Sequence, residues 1–96
     1  MNVWKGIVVV GGYSIQATIY YQKTSLETGD LITWYGSGKA SAAHLLKRLS
    51  KNLNQNIETN IGTICVTQLL HDGTVEFQGT GKPRRALARD IYPAQS

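Results

Sequence analysis

Apolar and polar residues alternate along two stretches near the start of the chain, on either side of Gly11 and Gly12. Alternation with a period of two is typical of β-strands that have one buried face. Two adjacent glycines supply the positive φ angles that a two-residue hairpin turn needs. The sequence therefore predicts a β-hairpin with Val10 opposite Tyr13. Its core face carries Trp4, Gly6, Val8, Val10, Tyr13, Ile15, Ala17, Ile19 and Tyr21.

The opposite face of this hairpin is polar on the second strand but apolar on the first. Val3, Ile7 and Val9 alternate there, with Tyr20 beside Val3. Such a face is covered by a partner subunit or by the C-terminal segment, or it is an ordinary surface made of β-forming residues. We take Val3, Ile7, Val9 and Tyr20 as candidate interface residues, and pairing of edge strands as a route to a homodimer.

A third strand and a helix are predicted in the middle of the chain. "LITWY" (31–35) is too apolar for a loop, whereas "KTSLETGD" (23–30) before it has the composition of a connection. Apolar residues then recur at helical spacing and predict a helix over 39–54, capped by Ser37 or Ser41. Its buried stripe contains Ala42, Leu45, Leu46, Leu49 and Leu53. Its exposed side is basic and contains Lys47, Arg48 and Lys51.

A second hairpin is predicted around Asp72-Gly73, a strong signal for a two-residue turn. This turn places Leu70 opposite Val75. The core face then carries Ile64, Val66, Leu70, Val75 and Phe77. The segment before the hairpin, "NQNIETN", has the composition of a polar link. After the hairpin, Pro83 suits the first residue of a short helical turn that ends at Ala88.

The predicted fold is therefore α+β, with a mostly antiparallel sheet in the order β-β-β-α-β-β. One main amphipathic helix packs on one face of the sheet, and a short C-terminal helix follows. The 96 residues suit a single domain over 1–90 with an extended tail over 91–96.

The tetrapeptide "GSGK" at 36–39 has an echo, "GTGK", at 79–82. The echo extends outwards at a constant offset, so that Trp34 aligns with Phe77 and Ile32 with Val75. Each copy is predicted as a strand, a glycine corner and the start of a helix. The echo is an internal duplication or a coincidence in a chain with 10 glycines. Consecutive amides at such a corner can hold one phosphate, with Lys39 and Lys82 adding charge.

The sequence argues against an enzyme. A nucleotide-binding P-loop needs a glycine where Thr33 and Glu76 stand, and a hydroxyl where Ala40 and Pro83 stand. No cluster of cysteine and histidine has metal-ligand spacing, and no pair of carboxylates is placed for acid–base chemistry. We therefore expect no catalytic residues, metal or cofactor. The apolar stretches are too short for a transmembrane helix or a signal peptide, and we expect a cytoplasmic protein.

The net charge of +4 is concentrated towards the C-terminus. A basic end indicates an anionic partner such as DNA or RNA, or it is a solvated tail. The leading hypothesis is a small nucleic-acid-binding or regulatory protein that contacts phosphates. The candidate contacts are Lys39, Lys47, Arg48, Lys51, Lys82, Arg84, Arg85 and Arg89. The alternative is a protein-interaction module that works through the apolar sheet face or as an edge-strand homodimer.

Overall fold

The computed structural model describes residues 1–93 and confirms a mixed α+β fold. The element order is β-β-β-α-β-β-β-α, with one strand more than the sequence predicts. The elements are β1 (Asn2–Val10), β2 (Tyr13–Leu26), β3 (Gly29–Lys39), α1 (Ala43–Lys51), β4 (Asn56–Thr59), β5 (Gly62–Leu69), β6 (Thr74–Thr80) and α2 (Arg85–Ile91). Of the predicted tail, residues 94–96 lie outside the described residues.

The strands form one closed barrel in the order β1-β2-β3-β6-β5-β4, and all neighbours are antiparallel. Closure between β1 and β4 is narrow, because the only pair in register there joins Val10 to Thr59. The side chain of Asn60 extends this contact. Its Oδ1 accepts from the Val9 N–H at 2.7 Å, and its Nδ2 donates to the Ile7 carbonyl at 3.0 Å.

The first hairpin has the predicted register, with Val10 opposite Tyr13 and Val8 opposite Ile15. The predicted core residues of both hairpins are buried, except for half-buried Trp4, Gly6 and Tyr13 and for Leu70. Leu45 and Leu49 of α1 join the same core as Leu87 and Ile91 of α2. The main helix therefore packs against the core side of the sheet, as the sequence predicts, while the closure of that sheet into a barrel was not predicted.

Helix α1 begins at Ala43, four residues later than predicted. The reason is that "GSGK" is the last part of β3 and pairs with β2 on one side and with β6 on the other. The helix N-cap is Ala42, and neither Ser37 nor Ser41 caps it with a side chain. The predicted glycine corner is therefore a strand.

The segment predicted as a connection before the third strand is itself mostly strand. Leu26 pairs with Gly29, so that β2 and β3 are joined by a tight turn at Glu27 and Thr28. Gly29 has φ 129°, a value that glycine accommodates easily. The pairing of β1 with β2 ends at Tyr21. Residues 22–33 of β2 and β3 pair only with each other and form an arm that extends past the end of β1.

The second hairpin has a register that differs from the prediction. The loop places Leu69 rather than Leu70 opposite Val75, and a bulge between Val66 and Gln68 then shifts the pairing by one further residue, so that Val66 lies opposite Phe77. The loop has three residues, since the Leu70 N–H donates to the Thr74 carbonyl at 2.9 Å. Leu70 is consequently exposed. The predicted polar link "NQNIETN" contains strand β4, which the sequence analysis missed.

The two GxGK copies occupy equivalent places in the barrel. Their strands, β3 and β6, are neighbours, and each is followed by a helix. Gly36 pairs with Phe77, and reciprocally Gly79 lies against the indole of Trp34. Exchanging the two β-β-β-α halves leaves the strand order of the ring unchanged. The chain is thus arranged as two halves about an approximate two-fold axis between β3 and β6, which supports duplication over coincidence.

Candidate nucleic-acid interface

The predicted basic residues fall into two groups at opposite ends of β3. The first group follows the C-terminal end of the strand: Lys39 is its last residue, and Lys47, Arg48 and Lys51 lie on α1. The second group surrounds the start of α2, which lies by the N-terminal part of β3, since Gly81 and Lys82 line one pocket with Leu31 and Ile32. The second group contains Lys82, Arg84, Arg85 and Arg89.

The α1 group forms a compact basic patch. Lys47, Arg48 and Lys51 line a shallow depression of about 360 Å³ together with Tyr13 and His44. No acidic side chain of residues 1–93 forms a salt bridge with these three cations. The α1 patch (Tyr13, His44, Lys47, Arg48, Lys51) is therefore available to an anion from solution.

The α2 group is more strongly engaged within the protein. The Arg84 guanidinium forms a salt bridge with Glu58 at 3.0 Å, and the Arg84 N–H donates to the Ile61 carbonyl at 2.8 Å. Arg89 precedes Asp90, whose carboxylate adds negative charge at this end. Part of the C-terminal positive charge is thus offset by neighbouring acids.

The "GSGK" segment does not form the phosphate-binding corner that the sequence suggests. Ser37 pairs with Thr18 on one side and with Glu76 on the other, so the amides of this stretch belong to the sheet. In the second copy, Gly79 and Thr80 are also strand residues, and only Gly81, with φ 75°, turns the chain. Lys39 and Lys82 are exposed cations, but among residues 1–93 no loop of free glycine amides lies beside either of them to hold a phosphate.

Two tyrosines stack on the outer surface of the barrel. Tyr20 and Tyr35 are directly opposite each other on β2 and β3, and their ring centroids are 5.6 Å apart with an interplanar angle of 28°. They are 37% and 43% exposed. The preformed stack thus leaves aromatic surface in solvent, on which a planar group can lie. We call this pair the tyrosine platform.

A groove of about 280 Å³ runs beside the tyrosine platform. Its lining includes Ser37, Glu76 and Gln78, which supply hydrogen-bonding groups, and Thr67 on the far side. Lys5 is on the same outer face, opposite Thr18, and Lys39 is four residues beyond Tyr35 along β3. The outer face of β1–β3 therefore combines aromatic, polar and basic groups between the middle of the barrel and the α1 patch.

Tyr21 fastens α2 to the barrel. Its hydroxyl donates to Asp90 Oδ2 at 2.6 Å, and this hydrogen bond, with burial and the Asp90 charge, raises the pKa of Tyr21 to about 12. The ordinary pKa is 10.0, so the bond stabilises the fold below pH 10 and its contribution is lost as the pH rises towards 12.

We therefore expect Tyr21→Phe to lower the free energy of unfolding by about 1.5 kcal/mol at neutral pH, because a charge-assisted hydrogen bond is removed. Urea denaturation measures this loss, and the difference from wild type should shrink at about pH 11. Tyr92→Phe removes an exposed hydroxyl and serves as the control. Equal stability of Tyr21→Phe and wild type at neutral pH would show that the Asp90 contact contributes nothing.

The remaining candidate groups are a cysteine on β5 and a histidine in the loop before β6. Cys65 is a free, half-buried cysteine on β5, and His71 is exposed in the loop before β6. Within residues 1–93, no group of three or more histidine, cysteine or acidic side chains is placed to hold a metal ion. No helix in that part of the chain is long and apolar enough to cross a membrane.

Sequence reasoning found some of these groups and missed others. It placed Tyr20 on the outer face of the first hairpin but could not pair it with Tyr35. It made no use of Lys5, which lies on the same outer face opposite Thr18. It did not find the hydrogen bonds between Asn60 and β1. Asn60 and Val9 are 51 residues apart in the chain, and a contact over that distance leaves no local sequence pattern.

Comparisons with protein-family models, with curated proteins and with solved structures found no match to this chain.

Proposed function

We propose that the protein binds single-stranded nucleic acid along the outer face of β1–β3. Bases stack on the tyrosine platform, and Lys5, Lys39 and the α1 patch contact the phosphates. The observation that carries this proposal is the exposed, stacked pair of Tyr20 and Tyr35. Stacking on aromatic side chains beside a basic surface is the usual way in which proteins hold single strands.

A single strand fits this surface better than a duplex does. Bases can lie on an aromatic ring only when they are unpaired and splayed out.

The spacing of the groups suits an extended strand. Tyr35 and Lys39 are on the same face of β3 and four residues apart, which is about 13 Å at the usual rise of a strand. The α1 patch begins just beyond Lys39. A strand whose bases cover the tyrosine platform therefore has its backbone within reach of these cations, over a length of a few nucleotides.

Glu76 and Gln78 give the surface a means to distinguish bases. Both line the groove beside the tyrosine platform. A carboxylate there repels phosphates but accepts hydrogen bonds from the exocyclic amino group of cytosine, which thymine lacks. We expect cytosine-rich strands to bind more tightly than thymine-rich strands.

The test is a titration of fluorescein-labelled single-stranded oligonucleotides followed by anisotropy at several salt concentrations. We expect the triple substitution of Lys47, Arg48 and Lys51 by alanine to weaken binding at least about tenfold and to reduce the salt slope by about 2, since three phosphate contacts are lost. The matched control replaces Lys82, Arg85 and Arg89 by alanine, which removes the same charge from the other end of the barrel. No binding by wild type at low salt, or an equal loss in the control, would contradict the proposal.

A further inference from the structure

Strand β1 leaves one edge of the barrel open. From Asn2 to Val8 it pairs with β2 alone, and within residues 1–93 its second partner, β4, meets it in register only at Val10. An exposed strand edge offers unpaired N–H and C=O groups to another strand. Val3 and Ile7 on this strand are 48% and 45% exposed, so the outer side of the edge is apolar as well.

The contacts of Asn60 identify the peptide groups that face the open edge. Asn60 binds the Val9 N–H and the Ile7 carbonyl from the β4 side. In an antiparallel pair, the peptide groups of every second residue point to the same neighbour. The N–H and C=O of Val3 and Lys5, and the N–H of Ile7, therefore point away from β2 towards the edge that β4 leaves uncovered.

We infer that this edge pairs with the same edge of a second copy of the chain, antiparallel and centred on Trp4. In this register Val3 lies opposite the partner's Lys5, and Trp4 lies opposite the partner's Trp4. The free N–H and C=O groups of Val3 then form hydrogen bonds with the C=O and N–H groups of the partner's Lys5, and those of Lys5 bond in the same way to the partner's Val3. The Ile7 N–H meets the carbonyl of the partner's Met1, while Asn60 keeps the Ile7 carbonyl.

The side chains select this register over the neighbouring one. Pairing centred on Lys5 would place two lysines directly opposite each other, which is unfavourable. Pairing centred on Trp4 places the aliphatic stem of Lys5 beside the partner's Val3, where it can cover apolar surface while its ammonium group stays in water.

Trp4 is the centre of the proposed interface. It is half-buried, although its neighbours on the core face of the barrel, Val8 and Ile19, are almost fully buried. It also falls at a non-hydrogen-bonded position of the new pair, where opposing side chains are closest and aromatic pairs stabilise best. Dimerisation would thus bury the exposed part of the indole and join the outer faces of two barrels into one continuous sheet.

Light scattering coupled to size-exclusion chromatography tests the dimer, with the full chain loaded over a range of concentrations. We expect twice the chain mass for wild type and a monomer for Lys5→Pro, because proline removes an N–H that faces the open edge and not the ladder with β2. Lys5→Thr keeps the N–H and should remain a dimer. Circular dichroism confirms that the variants are folded. A monomeric wild type, or a dimeric Lys5→Pro, overturns the inference.

The register is tested by disulfide trapping in a Cys65→Ser background. Opposing non-hydrogen-bonded residues have Cα atoms about 4.5 Å apart, within the range for a disulfide. Trp4→Cys should therefore cross-link two chains on oxidation, and Lys5→Cys should do so far less. Faster cross-linking of Lys5→Cys would overturn the register centred on Trp4. If Trp4→Cys does not fold, the extent of cross-linking of Lys5→Cys still tests the register, and the mass of Lys5→Pro still tests the dimer.

Discussion

Replacing Gly79 with alanine is expected to lower the free energy of unfolding by about 3 kcal/mol, at the upper end of the usual cost of overfilling a core. A methyl group on Gly79 would overlap the indole of Trp34. Trp34 is only 2% exposed, and its Nε1–H is bound to the Gly81 carbonyl, so the ring has little freedom to move. For a domain of this size the midpoint of thermal unfolding should fall by more than about 10 °C.

Two further variants isolate the cause of this effect. Gln78→Ala changes the preceding, exposed position on β6 and should stay within about 0.5 kcal/mol of wild type. Trp34→Leu destabilises the core by itself but makes room for the methyl group, so the double variant with Gly79→Ala should cost less than the sum of the two single changes. Additive costs, or a neutral Gly79→Ala, would show that the aromatic ring does not require the glycine.

The same reasoning applies to the other half of the barrel. Gly36 is the counterpart of Gly79, and a methyl group there would collide with the Thr18 carbonyl oxygen and with Ile19. Gly38 is similarly close, at 2.6 Å to Ile15 Cγ2 and 2.7 Å to the Gln16 carbonyl oxygen for an added Cβ. The glycines of "GSGK" thus serve close packing of neighbouring strands rather than the binding of an anion.

These glycines explain why part of the fold could be predicted from the sequence and part could not. Gly11-Gly12 sets a local turn, and local turns fix a register that can be counted along the chain. The segment "GSGK" is also rich in glycine, but the role of its glycines depends on their packing against Ile15 and Thr18 across the sheet. Composition alone therefore suggested a loop where the structure has a strand.

The candidate site depends on the same missing long-range information. The two loop residues, Glu27 and Thr28, are not typical turn residues, and the glycine that follows them, Gly29, also suits the longer connection that the sequence predicts, so the β2–β3 register was not recognised. Without that register, Tyr20 could not be placed beside Tyr35. The basic residues likewise seemed one group, because their separation to opposite ends of β3 follows only from the closed barrel.

Replacing Tyr20 and Tyr35 with alanine is expected to produce the largest loss of nucleic-acid binding. Stacking of a base on an aromatic side chain contributes about 1–3 kcal/mol, so each single change should weaken binding by a factor between about 5 and about 150. The double change should weaken it about a hundredfold if each ring holds one base. Both side chains are on the outer face, so the stability of the barrel should change little.

Controls at other tyrosines separate stacking from a general loss of aromatic surface. Tyr92→Ala removes an exposed ring next to α2, away from the proposed path, and should leave affinity unchanged. Tyr20→Phe and Tyr35→Phe keep the ring and should bind like wild type, because stacking needs the face of the ring and not the hydroxyl.

The base preference gives this prediction a second, independent readout. If bases lie on the tyrosine platform, Glu76 is beside their edges, and Glu76→Gln should reduce the preference for cytosine over thymine while increasing overall affinity, since a negative charge is removed near the phosphates. Loss of the platform should abolish the preference as well as the affinity. A double tyrosine variant that keeps full affinity and still prefers cytosine would place the bases elsewhere on the molecule and contradict the proposed interface.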